Sequence, residues 1–211
     1  MTQSFARIKQ IVENYQPEPY GQQKHYAVLI PLIEIDGQLH ILYEVRAAHI
    51  SQGGDTSFPG GAVDPGESFQ EAAIRETFEE LRIPSQQIEF FGEIDYNVTE
   101  WAIMRCFVGL LKDISLADID YNEEVERLFT VPLNFLAKNE PISYSVTYDT
   151  QIGEDFPYEL ITHGRNYRWR EPHHNILFYR LPNEILWGLT ANLTSRFIHI
   201  LKDQHFFDFD M

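Results

Sequence analysis

The sequence predicts an α/β or α+β sandwich, and three observations carry that prediction. Runs rich in β-branched and aromatic residues recur along the chain, amphipathic helical patterns lie between them and at both ends, and turn-forming glycine and proline separate the two. Strands interleaved with helices in this way are buried by placing helices on more than one side of a mixed sheet. The 211 residues, 44% hydrophobic and 14% aromatic, suffice for a full core, so a single domain over 1–211 is expected.

Taken in order, Phe5, Ile8, Ile11, Val12 and Tyr15 fall at helical spacing and Pro17 and Pro19 end the pattern, which predicts a short docking helix over 1–16. "HYAVLIPLIEI" and "LHILYEVR" are strands joined at Asp36-Gly37, a strong hairpin signal, and should lead into a glycine loop at Phe58. "IEFFGEIDYNV" and "WAIMRCFVGLL" are two further strands about the polar turn "VTE". "VPLNFLAKN" reads as a short helix begun by Pro132, and "SYSVTY" and "NILFYRL" as strands. A last helix over 183–201 should bury Leu186, Leu189, Leu193, Phe197 and Ile200 or Leu201.

Charge narrows the partners. A net charge of -16 repels long polyanions, so nucleic acid is not expected as a bulk ligand, and an anionic substrate would need divalent cations to mediate its approach. No apolar run nears the ~20 residues that span a bilayer, which argues against a membrane partner. No basic-then-apolar leader follows Met1, and the lone Cys106 cannot form an internal disulfide, so the expected compartment is the cytoplasm. Nothing in the sequence sets the oligomeric state.

The stretch "FPGGAVDPGESFQEAAIRETFEEL" gathers five glutamates, Glu67, Glu71, Glu76, Glu79 and Glu80, around the single basic residue Arg75. Ser68 with Glu71 three residues later is a capping box, so a helix should run from Ser68 to near Leu81. At about 100° per residue, Ile74, Phe78 and Leu81 would form the core face, with Glu76, Glu79 and Glu80 opposite. Such a face is either solvated or occupied by cations. Carboxylates at i, i+3 and i+4 beside a carbonyl of Gly60 or Gly61 suit a hard, oxygen-seeking ion such as Mg²⁺, with Mn²⁺ as the alternative. The "FPGG" glycines, poor for helix or strand, would let backbone approach closely.

Five residues separate Gly61 from Glu67 and seven separate Glu67 from Arg75, after which Arg75-Glu76-Thr77-Phe78-Glu79-Glu80-Leu81 follows without a gap. This spacing closely resembles the Nudix box of the Nudix hydrolase family. The resemblance implies a Nudix-like α/β/α sandwich with a mixed central sheet and a loop-helix-loop catalytic motif. It implies metal-dependent hydrolysis of a nucleoside diphosphate linked to another moiety, a small-molecule nucleotide-type substrate. Carried over, Glu79 and Glu80 are metal ligands, Glu76 is a ligand or the base, and Arg75 orients the glutamates, Glu67 included. The base can also come from a later loop, where "YNEEVERLF" offers Glu124. Two positions depart from the box: Thr77 replaces a bulky aliphatic residue, and Arg82 replaces a glycine, at a cost of about 1 kcal/mol if the backbone keeps positive φ.

The substrate must be read outside the box. "LYEVRAAHISQGGDTSFPGG" and "LWGLTANL" resemble segments of the coenzyme A diphosphatase branch, with Arg46 matching and Ile50 standing where a second arginine is usual. This implies cleavage of coenzyme A or its derivatives to 3′,5′-ADP and a phosphopantetheine. ADP-ribose, a dinucleotide or an oxidised nucleoside triphosphate is the alternative substrate, and a Nudix-fold binding module without turnover the alternative of another class. "HGRNYRWREPHH" concentrates Arg165, Arg168 and Arg170 in an acidic chain, as either a phosphate site alongside Arg46 and Gly61 or an exposed hairpin paired with the acidic surface.

Overall fold

A computed structural model describes residues 3–169 and 173–207. After helix α1 (Gln3–Asn14), strands β1 (Lys24–Ile35) and β2 (Gln38–Arg46) form the expected hairpin. Asp36 and Gly37 have φ of 50° and 74°, the two left-handed residues that a tight hairpin turn requires. The short strands β3 (Thr56–Ser57) and β4 (Gly60–Ala62) lead into α2 (Phe69–Leu81), followed by β5 (Ile88–Val98), β6 (Ala102–Leu111), β7 (Val125–Pro132) and α3 (Leu133–Lys138). The main sheet runs β3-β2-β1-β6-β5, with β4 also on β1 and β7 also on β2. It is mixed: β1 and β6 are parallel, from Lys24 opposite Ala102 to Ile33 opposite Leu111, and the other pairs are antiparallel.

Alternation along β1 builds two cores. Val28, Ile30 and Leu32 point to one face, where they meet Leu136 of α3 and Phe197 of α4 (Gly188–Asp203). Ala27, Leu29 and Ile33 point to the other, against Ala72, Ala73 and Leu81 of α2. Helices therefore cover both faces, which is the α/β/α sandwich expected from the sequence. Each fully buried Leu or Ile here contributes about 1.5–3 kcal/mol. A second antiparallel sheet joins β8 (Ile142–Thr147), β9 (His173–Arg180) and β10 (Ile185–Trp187). No helix among the described residues is long and apolar enough to cross a membrane.

Four expectations need correction. The N-terminal helix spans 3–14 rather than 1–16, and it does not dock: Phe5, Ile8, Ile11 and Val12 are exposed, and none of its residues is buried. The last helix starts at 188, not 183, because Ile185–Trp187 pairs with β9 and Gly188, at φ 65°, turns the chain from strand into helix; Leu189 is thereby exposed. The buried face of α2 is Ala72, Ala73, Thr77, Glu80 and Leu81, whereas Phe78 is 47% exposed. Small side chains let this helix lie close against β1, and Thr77 satisfies its hydroxyl by donating to the Ala73 carbonyl at 2.7 Å. The glycines of "FPGG" are not all loop: Gly60 and Gly61 pair with Val28 and Ala27.

Candidate active site

Helix α2 is fixed at both ends. Ser68 Oγ accepts from the Glu71 N–H at 3.2 Å while Glu71 Oε2 accepts from the Ser68 N–H at 2.8 Å, completing the capping box read from the sequence. At the other end Arg82 holds φ 54° and donates its N–H to the Phe78 carbonyl, so a non-glycine residue occupies the left-handed cap.

Between these ends Arg75 is a hub. Its Nε and Nη2 grip the two oxygens of Glu67 at 2.9 and 3.0 Å, Nη1 reaches Glu76 at 2.9 Å and Glu79 at 3.2 Å, and Nη2 also donates to the Ala62 carbonyl. The fork ties the loop after β4 to two turns of the helix. These bonds hold the Arg75 guanidinium well above its usual range, the Glu67 bond first among causes. The Glu67 carboxyl is held low by the same hydrogen bonds and by the Asp64 N–H. Glu67 is thus a fastener of the motif.

Glu80 departs from the face assigned to it. It is 5% exposed, pointing inward under β4, where its Oε2 accepts from the Gly60 N–H at 2.9 Å. Gly60 is required by close approach, since a Cβ there would stand 2.3 Å from the Ala27 carbonyl oxygen, while at Gly61 a Cβ would displace the Glu76 carboxylate, 2.3 Å away at Oε1. Sequence reasoning missed Glu44 of β2. It is 1% exposed, its Oε1 accepts from Ser57 Oγ at 2.7 Å, and its Oε2 has no hydrogen-bond partner. Loss of solvation, with the neighbouring carboxylates adding to it, pushes the Glu44, Glu76 and Glu80 carboxyls up.

Glu76, Glu80 and Glu124 line one cleft of about 740 Å³, together with Gly60, Gly61 and Arg46. Glu124 is held at its edge by backbone bonds, its carbonyl accepting from the Ala47 N–H at 2.8 Å. The far wall is Trp187, Gly188, Leu189 and Thr190, tied to β3 by Thr190 Oγ1 donating to the Thr56 carbonyl at 2.9 Å. The "LWGLTANL" segment thereby reaches the site. Trp101 and Trp187, with exposed rings, also line the cleft, and nothing in the sequence marked Trp101. Arg46 donates from Nε to the Ser51 carbonyl at 3.0 Å. Glu79 is exposed and held by Arg75 outside the cleft wall. Arg165 lies over the Tyr158 ring and, like Arg168, is exposed and does not line the cleft; Arg170 lies outside the described residues.

Among the described residues no three Asp, Glu, His or Cys are arranged to close around an ion as they stand. The donor set nevertheless suits a divalent cation. Three carboxylates from helix and loop line the cleft near a buried fourth whose oxygen is orphaned, with Arg75 bonded to Glu76 and Arg46 on the cleft lining as the cations beside them. A hard cation supplies the missing partner and favours oxygen donors.

Comparison with known proteins bears on the family of the chain. Residues 23–150, more than half the chain, match the model of the NUDIX domain. The chain is 36% identical over 123 residues to Nudix hydrolase 3 of Caenorhabditis elegans, covering 53% of this chain but only about half (49%) of that relative's length. It is 28% identical over 182 residues to the peroxisomal coenzyme A diphosphatase NUDT7 of Mus musculus, covering 85% of this chain and 71% of that protein. The crystal structure of a MutT/nudix family protein from Enterococcus faecalis superposes with a TM-score of 0.53 at 14% identity, over 96% of this chain and 70% of that one, a likeness of fold. With the matched model spanning both the sheet and the carboxylate helix, this chain belongs to the Nudix family of pyrophosphohydrolases.

Proposed function

We propose that this protein hydrolyses the diphosphate bond of coenzyme A or its derivatives, adding water across one P–O–P bridge to give 3′,5′-ADP and a phosphopantetheine. The observation that carries the reading is the cleft itself: α2 carboxylates and the Gly60–Gly61 backbone on one wall, with Arg46 and the Trp187–Thr190 segment completing it. The relative named as a coenzyme A diphosphatase, matched over most of this chain, supports the substrate class.

Glu76, Glu79 and Glu80, with a carbonyl of Gly60 or Gly61, would hold Mg²⁺ or Mn²⁺. When bound, the ion neutralises the non-bridging diphosphate oxygens and lowers the pKa of a water. Arg75 positions the glutamates, since its fork fixes the Glu67 and Glu76 rotamers at once. Glu76, which lines the cleft and whose carboxyl is pushed up by burial, is the first choice for the base, and Glu124 at the cleft edge is the second choice for the same proton. Arg46 is the cleft arginine for a substrate phosphate; Arg165 and Arg168 serve only a substrate that extends beyond the cleft. The free, buried Cys106 calls for no oxidising compartment, which is compatible with a reaction in the cytoplasm.

Mass spectrometry of products from coenzyme A, dephospho-coenzyme A, ADP-ribose, NADH, diadenosine polyphosphates and nucleoside triphosphates with Mg²⁺ tests this. Coenzyme A should be cleaved fastest, and dephospho-coenzyme A about ten to a hundredfold less efficiently, the worth of a charge-assisted phosphate contact. Arg46→Ala should erase that difference. Ile50 in place of a second arginine favours ADP-ribose as the runner-up, and faster cleavage of ADP-ribose would shift the assignment there. No cleavage of any substrate would leave a binding module.

A further inference from the structure

Glu44 lies outside the box and carries no role in the segments singled out from the sequence, yet it has a buried oxygen without a hydrogen-bond partner. On β2 it shares the sheet face of Leu42, which packs with α2, and not that of Tyr43, which packs on the opposite side. That face sets it beneath the helix carboxylates, with Glu80, Glu76 and Glu124 as its charged neighbours and Arg46 as the nearby cation. Arg46 does not make an ion pair with it, its Nε being given to the Ser51 carbonyl. Ser57 occupies one Glu44 oxygen, and the other, buried, has no donor.

A structural carboxylate this deeply placed would have both oxygens hydrogen-bonded, because an unmet buried acceptor is costly and an unpaired buried charge more so. A cation shared with the helix carboxylates removes both costs. We propose that Glu44 is a direct ligand of a divalent cation, adding from β2 an inner oxygen donor to the set that Glu76 and Glu80 present from α2. The inference rests on the metal-dependent reading above and deepens it: the sheet, as well as the box helix, holds the ion. Ser57, by occupying Oε1, leaves Oε2 free for the metal.

The test measures metal without substrate. Mn²⁺ binding to the full chain and to Glu44→Gln is followed by electron paramagnetic resonance of free Mn²⁺ and by titration calorimetry. Gln keeps the size of Glu and an acceptor for Ser57. Loss of one Mn²⁺ per chain, or at least tenfold weaker binding of one, is expected; equal stoichiometry and affinity would overturn the proposal. Should Glu44→Gln not fold, anomalous scattering from Mn²⁺-soaked crystals of the unaltered protein decides, a peak bonded to Glu44 Oε2 being expected and a peak bonded only to α2 glutamates counting against it. Failure of the unaltered protein to bind Mn²⁺ at all would remove the metal reading together with this inference, whereas coenzyme A proving the wrong substrate would leave the inference intact.

Discussion

Glu79 and Glu80 are neighbours in sequence with opposite surroundings, one exposed and paired with Arg75, the other buried under the Gly60 N–H. Replacing each by Gln should abolish nearly all turnover, if both serve the cation, but the two variants should differ in the metal-free protein. Glu79→Gln gives up one exposed ion pair and should stay within about 0.5 kcal/mol. Glu80→Gln keeps an acceptor for Gly60 and takes away a carboxyl whose ionisation burial opposes, so its melting temperature in EDTA should equal or exceed that of the parent. Near-normal rates at saturating Mg²⁺ in either variant would take that residue out of the ligand set, and a Glu80→Gln protein destabilised by more than about 1 kcal/mol would show that the carboxyl makes contacts an amide does not replace. Arg75, Glu76 and Glu80 were singled out by the resemblance to the Nudix box, while helix geometry by itself put Glu80 on the exposed face from which the structure turns it inward. Glu44 was not singled out, since in "LYEVR" it reads as one polar residue of a strand, and only register shows that it points inward.

At the scale of the element, α2 was legible at its ends and misjudged on its face. The N-terminal cap depends on local residue types, so Ser68 and Glu71 could be read directly, whereas Arg82 was placed at the other end by the resemblance to the box, which has glycine there. Which stripe is buried depends on how close the sheet comes, and Ala72 and Ala73 bring it close enough to leave Phe78 outside. The caps can be weighed by substitution. Ser68→Ala removes the acceptor for the Glu71 N–H and should cost about 1 kcal/mol in urea unfolding without altering the unfolding slope. Arg82→Gly relieves a positive φ and should stabilise by up to about 1 kcal/mol with activity retained. A destabilising Arg82→Gly would show that its side chain makes contacts worth more than the backbone strain, and a large loss of activity would make it a substrate contact. The break between β10 and α4 was invisible for a related reason. Ile185, Leu186 and Trp187 fit a helical stripe as well as a strand, and the partner strand β9 decides.

For the whole molecule, the two-sided sandwich was legible from the interleaved patterns, but the parallel pairing of β1 with β6 was not, because it joins segments separated by the entire β2-to-β5 excursion. That pairing seats α2 against β1 and thereby buries carboxylates in a chain of net charge -16, with a consequence for pH. In metal-free protein the Glu44, Glu76 and Glu80 carboxyls lie above their unfolded values, Glu44 at about 7 and Glu80 at about 9, with desolvation the main cause. The folded state then binds more protons than the unfolded chain between pH ~4.5 and 9, so stability must fall as pH rises through that window. Glu67 and Glu71 have the opposite sign, held low by their hydrogen bonds, and their contribution is lost as pH falls below about 4.5. In EDTA stability should therefore be highest near pH 5 and decline toward pH 9 by at least about 1.4 kcal/mol, a fall of roughly 3–6 °C in melting temperature for a chain of this size. Saturating Mg²⁺ should flatten or reverse the slope, since an ion that binds only the folded, ionised site stabilises it most where the carboxyls are deprotonated. Repulsion among surface charges also grows with pH, and Glu80→Gln separates the two causes. If the buried cluster is responsible, the variant in EDTA loses most of the slope; an unchanged slope would assign the pH dependence to the surface, and a melting temperature that rises from pH 5 to 9 in EDTA would show that these carboxyls are not held protonated by burial.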